Sequence, residues 1–110
     1  MKQYRIDELR PEDYEKLEAY LDERFGRSPM EGIYWVPLDG DLLDDVQAAH
    51  TDCQPLCFAV ELKPTFISFE LLIRTRNRVR CDCIHYANAE QRERIIRFAD
   101  AMFETLKILS

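Results

Sequence analysis

Residue types alternate along two neighbouring runs between Thr65 and Tyr86, and this stretch indicates the centre of the fold. The positions that share one side are Ile67, Phe69, Leu71 and Ile73 in the first run, and Val79, Cys81, Cys83 and His85 in the second. A third alternating run extends from Leu56 to Leu62. Alternation with β-branched and aromatic residues is typical of half-buried antiparallel strands. The pattern therefore predicts an antiparallel meander with strands at about 56–62, 65–75 and 79–86.

Apolar residues at helical spacing precede and follow this meander. Pro11 suits the first position of a helix because its missing N–H has no partner there, and Gly26 is a natural stop. Asn88 can cap a later helix, with Gln91 as its capping-box partner. The apolar stripes are Tyr14, Leu17, Leu21 and Phe25 in the first helix, and Ile95, Ala99, Met102 and Leu106 in the last. These patterns predict helices at about 11–25 and 88–108.

Shorter patterns complete the expected architecture. Residues 3–9 and 32–38 have strand-like alternation, and residues from about 41 to 50 have helical spacing. The element order is then β-α-β-α-β-β-β-α. We expect one α+β domain over residues 1–110, built as two layers with the two longer helices packed on one face of the sheet.

Composition and charge exclude several functional classes. The three glycines form no phosphate-binding loop, and none of the three serines lies in a nucleophile-elbow sequence. The formal net charge of −6 argues against a general nucleic-acid binder. No apolar run is long enough for a membrane span, and the polar N-terminus lacks the apolar core of a signal peptide. We therefore expect a cytoplasmic protein with reduced cysteines and no membrane partner.

Histidine and cysteine residues form the most specific chemical pattern. The subset that the expected topology could bring together is His50, Cys53, Cys81 and Cys83, and these residue types bind zinc or an iron–sulfur cluster. In a regular strand, however, the backbones of Cys81 and Cys83 would stand about 6.5–7 Å apart. That spacing favours a different interpretation, in which both thiols fill the core and no cofactor is bound. Zinc remains the alternative.

Arginine recurs at every second position around the turn of the meander. These residues are Arg74, Arg76, Arg78 and Arg80. Guanidinium groups bind carboxylates and phosphates, so this hairpin is a second candidate site, for an anion or a nucleic-acid backbone. Glu70, Asp82 and the acidic N-terminal half offer neutralisation within the molecule, and we favour that explanation.

The sequence by itself does not reveal a function. No third group that would orient a Cys–His pair is visible, so catalysis is not expected. We expect a small soluble, non-catalytic binding or adaptor protein whose partner is another protein, including a second copy of this chain. Metal binding through the four residues above is the alternative, and anion or nucleic-acid binding through the arginine hairpin is the third hypothesis.

Overall fold

The computed structural model describes residues 2–75 and 81–108, which form an antiparallel sheet and three α-helices. The strands are β1 (Gln3–Asp7), β2 (Ile33–Pro37), β3 (Leu56–Lys63), β4 (Phe66–Glu70), β5 (Leu72–Thr75) and β6 (His85–Tyr86). The helices are α1 (Pro11–Phe25), α2 (Asp45–Ala49) and α3 (Ala89–Thr105), with short 3-10 turns at Gly40–Leu42 and Thr51–Cys53. The predicted α+β class is confirmed.

Strand β3 lies at the centre of the sheet. It pairs with β2 along one edge and with β4 and β5 along the other, where Val60 is opposite Phe69 and Cys57 is opposite Arg74. Val60 and Cys57 are three positions apart in β3, whereas their partners Phe69 and Arg74 are five positions apart. β4 and β5 are therefore two halves of one bulged strand. Two extra residues preserve the alternation of faces. The predicted strand at 65–75 is therefore present, with a bulge.

The third strand of the predicted meander is much shorter than expected. Only His85–Tyr86 pairs with β5, and positions 79 and 80 lie outside the described residues. Residues 81–84 form a turn in which the Ile84 N–H donates to the Cys81 carbonyl at 3.0 Å. The prediction of strand structure over 81–84 was wrong because these backbone groups bond within the turn and to a side chain from α2, described below.

The longer helices cover one face of the sheet. The Phe98 ring of α3 contacts Phe25 of α1, Phe58 of β3 and Phe69 of β4, with ring centroids 5.9, 5.8 and 6.3 Å apart. The expected packing of both helices on one face is thus confirmed. Helix α1 has the predicted bounds, and its stop at Gly26 requires a positive φ of 71°, which glycine adopts without strain. Helix α3 ends at Thr105, three residues before the predicted end.

Candidate metal centre

The four residues predicted as metal ligands lie together at one end of the sheet. His50 follows the last residue of α2, and Cys53 ends the 3-10 turn that precedes β3. Cys81 and Cys83 belong to the turn that precedes β6. One ligand atom from each residue lies within 4.8 Å of the other three. The fold therefore brings two short segments, distant in sequence, to one point.

The distances within this cluster approach those of a tetrahedral metal site. The Sγ atoms of Cys53 and Cys81 are 3.7 Å apart, and His50 Nδ1 is 2.9 Å from Cys81 Sγ. With Zn–S bonds of about 2.3 Å and Zn–N bonds of about 2.0–2.1 Å, tetrahedral angles give S–S edges of about 3.8 Å and N–S edges of about 3.6 Å. The two sulfurs already have that separation. The His50–Cys81 hydrogen bond would lengthen by about 0.7 Å to admit an ion.

The turn at 81–84 removes the geometric objection that the sequence raised against Cys81 and Cys83. In a strand, successive same-side residues point along parallel directions, whereas the turn makes both thiols converge. The backbone N–H of Cys83 also donates to the Cys81 sulfur. Cys83 is buried in the hydrophobic core, as the core-filling interpretation expected, whereas Cys81 is only half-buried at its edge. Cys53 is buried in the core as well. These cysteines therefore pack in or beside the core and also converge on a possible ion position.

The pKa values of the two cysteines in the 81–84 turn are shifted in opposite directions. The N–H of Cys83, assisted by the Cys83 and Cys53 thiols and by His50, lowers the pKa of Cys81 to about 6. Burial, followed by the neighbouring sulfurs, raises the pKa of Cys83 to about 12. Near neutral pH the metal-free cluster therefore holds a thiolate at Cys81 and a protonated thiol at Cys83. A thiolate is the form that binds metals and attacks electrophiles.

Two kinds of chemistry are compatible with a thiolate beside an imidazole. The 2.9 Å separation of His50 Nδ1 and Cys81 Sγ would also suit a nucleophile and its general base. Here, however, the thiols of Cys53 and Cys83 converge on the same point. A closed set of four protein donors is typical of structural zinc sites, whereas catalytic zinc sites keep one position open. The donor set thus favours metal binding over catalysis.

The remaining histidine and cysteine lie outside the cluster. His85 Nε2 is 2.6 Å from Asp44 Oδ2, and its Nδ1 is 2.9 Å from the Tyr86 carbonyl oxygen. Cys57 lies opposite Arg74, on the face of β3 away from the helices. Among the described histidine and cysteine residues, the structure therefore brings together His50, Cys53, Cys81 and Cys83.

A buried amide beside the cluster was missed by sequence reasoning. Gln47 of α2 is fully buried, and its Nε2 donates to the Cys83 carbonyl at 3.1 Å. Its Oε1 accepts from the Asp44 N–H at 3.1 Å, which together with the Asp44 side chain forms a capping box. The spacing Asp-x-x-Gln was the available signal, since it is typical of a helix start. Nothing in the local pattern indicated the contact with Cys83.

The arginine hairpin is only partly within the described residues. Arg76, Arg78 and Arg80 lie outside them, so their predicted role in anion binding stays a prediction. The guanidinium of Arg74 lies on the sheet face away from the helices, 3.0 Å from the Glu70 carboxylate and 5.0 Å from the centre of the Trp35 ring. Burial raises the pKa of Glu70, and Arg74 opposes that shift. At Arg74 the charge is therefore neutralised within the molecule.

A surface cleft of about 460 Å³ lies near the opposite end of β3, between the end of α1 and the start of β2. Its volume is within the usual range for ligand pockets. Its polar side chains are largely occupied by one another or by near neighbours, since the Tyr14 hydroxyl donates to Glu18 and the Tyr34 hydroxyl donates to Asp22. The cysteine cluster, in which four possible ligand atoms lie within 4.8 Å of one another, is the stronger candidate site.

Comparison of the chain with protein-family models, curated proteins and solved structures gave no match. None of the helices in the described part of the chain has the length and apolar composition needed to cross a bilayer. Functional inference therefore depends on the residues and their geometry alone.

Proposed function

We propose that this protein binds one Zn²⁺ ion through His50 Nδ1 and the sulfurs of Cys53, Cys81 and Cys83. The observation that supports this proposal is the mutual distance of no more than 4.8 Å among the four ligand atoms. Three thiolates and one imidazole are a common donor set of structural zinc sites. To form the tetrahedron, the widest pair would have to approach by at most about 1.2 Å, which side-chain rotation can supply.

A single ion fits this cluster better than an iron–sulfur cluster does. Ligands of a cluster bind different iron atoms, so they must stand farther apart than the ligands of one ion. Among single ions, thiolate and imidazole donors in a tetrahedral arrangement suit zinc, and they suit mononuclear iron with the same ligands. Zinc is our proposal, and the identity of the bound metal is a direct readout of the test below.

The role that we propose for the ion is to join two parts of the fold. Cys53 precedes the central strand β3, and Cys81 lies 28 positions later, in the turn before β6 and α3. An ion bound to both segments would fix the end of the sheet where they meet. Because the unfolded chain has no preformed site, the free energy of metal binding would stabilise the folded state. The predicted cytoplasmic location is compatible with this role, since a reducing compartment keeps thiols available as ligands.

Elemental analysis of protein purified without a histidine tag and without chelators tests the proposal. We expect one zinc per chain in the wild type and less than about one-tenth of that in Cys81→Ser and Cys83→Ser, because each loses a thiolate ligand. Cys57→Ser is the matched control, since it changes a buried cysteine outside the cluster, and it should retain the zinc. Folded wild-type protein that contains no metal after growth and purification with added zinc would refute the proposal. Stoichiometric iron would support the proposed site and show that the bound metal is iron instead of zinc.

Protein–protein binding, including homodimerisation, remains a separate proposal. It is supported by the sheet, whose two longer helices both lie on the same face, and by the exposure of Tyr86 at the outer edge, where 41% of its surface is accessible. Sedimentation of the zinc-loaded protein over a hundredfold concentration range tests the homodimer. A concentration-independent monomer would exclude it.

A further inference from the structure

We propose that Gln47 is the positioning residue of the metal centre, an inference that rests on the proposed zinc site. Gln47 contacts the backbone of one ligand from each of the two segments. Its carbonyl oxygen accepts from the His50 N–H at 3.2 Å, and its side-chain Nε2 donates to the Cys83 carbonyl at 3.1 Å. His50 and Cys83 come from distant parts of the chain, so a single residue sets the relative position of both halves of the ligand set.

The orientation of the Gln47 amide is fixed by its neighbours. Its Oε1 faces two donors, the Asp44 N–H at 3.1 Å and Gln91 Nε2 at 2.8 Å. A backbone N–H cannot accept a hydrogen bond, so the oxygen must point toward Asp44 and the NH₂ group must point toward Cys83. Gln91 is fully buried as well and also donates to the Leu42 carbonyl at 2.9 Å. The amide therefore presents a donor to Cys83 from a fixed position.

This contact acts on the ligands through the backbone of Cys83. The N–H of Cys83 donates to the Cys81 sulfur, so the orientation of residue 83 determines where that donor points. Hydrogen bonds that orient the ligands of a metal are typically worth about 10–100-fold in metal affinity. Because Gln91 belongs to α3, the same chain of amides also connects the metal centre to the docking of the last helix.

A role in folding alone would give a different result from a role in positioning. Gln47 is the third helical residue of a capping box, so any substitution there can weaken α2. That loss would lower the stability of both the metal-free and the metal-bound protein, and the metal affinity of the folded protein would stay unchanged. A positioning residue instead changes the affinity and the ligand field of the bound ion.

The informative variant is Gln47→Glu. It keeps the length of the side chain and an oxygen for Asp44 and Gln91, and it replaces the donor that faces Cys83 with a second oxygen. Gln3→Glu is the matched control, because it makes the same chemical change at an exposed amide in β1, a strand that contributes none of the four proposed ligands. It also keeps an oxygen for the Ser68 hydroxyl, which donates to Gln3 Oε1 at 2.6 Å. Zinc affinity is measured by competition with a chromophoric chelator, and the site geometry is measured from the visible absorption of the Co²⁺-substituted protein.

We expect Gln47→Glu to lower zinc affinity by about 10–100-fold and to shift the Co²⁺ bands. Gln3→Glu should stay within about twofold of the wild type, as is usual for exposed substitutions. Equal affinity and identical Co²⁺ spectra for Gln47→Glu and wild type would overturn the positioning role while leaving the zinc site intact. Failure of the wild type itself to bind zinc or Co²⁺ would instead overturn the proposed function.

A measurement on the wild type covers the case in which Gln47→Glu does not fold. The side-chain NH₂ protons of Gln47 can be followed by NMR in the zinc-bound and chelator-treated states. If the amide is coupled to the metal centre, its hydrogen-exchange protection should fall at least about tenfold when zinc is removed. Unchanged protection of this amide in the two states would contradict the proposal.

Discussion

If zinc binds at the proposed site, its removal should lower the thermal stability of this protein by a calculable amount. The four proposed ligands come from two segments whose nearest cysteines, Cys53 and Cys81, are 28 positions apart. The unfolded chain can therefore offer only fragments of the site, and zinc should bind the native state far more tightly. Under that condition, free zinc held at 100 times its dissociation constant stabilises the native state by about 2.7 kcal/mol.

The corresponding shift in melting temperature follows from the size of the chain. An unfolding entropy of about 2.1 cal/mol/K per residue gives about 230 cal/mol/K for 110 residues. Dividing the stabilisation by this entropy gives a shift of about 12 °C. We therefore expect the melting temperature to be about 12 °C higher in buffered zinc than in excess chelator, as measured by differential scanning calorimetry.

The Cys83→Ser variant separates metal binding from the cost of altering a buried thiol. A hydroxyl in place of this sulfur lowers the stability in zinc and in chelator alike, so the difference between the two melting temperatures isolates the metal. That difference should fall below about 2 °C at the same free zinc concentration, because removing one of four ligands should weaken binding by about 100-fold or more, which brings the dissociation constant up to the free zinc concentration. Cys57→Ser should keep the full difference. A wild type whose melting temperature is the same in zinc and in chelator would refute the reasoning.

Three further outcomes are expected. Zinc affinity should rise at least about tenfold per pH unit between about pH 7 and 9. The raised pKa of Cys83 means that the ion displaces a proton from this thiol when it binds. An affinity that does not depend on pH would contradict this expectation. Hydrogen peroxide should oxidise the metal-free protein to a Cys53–Cys81 disulfide with release of two waters, since these sulfurs are 3.7 Å apart. A disulfide that mass spectrometry maps to another pair of cysteines would contradict this prediction. Phe69→Ala should lower the free energy of unfolding, measured by urea denaturation, by about 3–5 kcal/mol because the ring is fully buried. A loss below about 1 kcal/mol would mean that the inner face of the sheet is wrongly assigned.

Local sequence signals were sufficient for the helix ends and the faces of the strands. Pro11 and Gly26 mark the bounds of α1, and the Asn88 cap marks the start of α3, because these residues satisfy or terminate backbone hydrogen bonding locally. Alternation correctly assigned the inner side of β3 and β4 even though a bulge intervenes, since two extra residues leave the parity unchanged. The four candidate ligands were also selected from the sequence, from residue type and strand parity.

Tertiary structure decided whether those ligands could meet. The alternation of Cys81, Asp82, Cys83 and Ile84 is equally compatible with a strand and with a turn, so the spacing of the two thiols was not determined locally. The turn is supported by the amide of Gln47, which binds the Cys83 carbonyl across 36 positions of sequence. Residue types and their periodicity fix what each segment can bury or donate. Which distant donor forms a hydrogen bond with a given carbonyl oxygen depends on how the segments pack. That packing also brought the cysteines to one point.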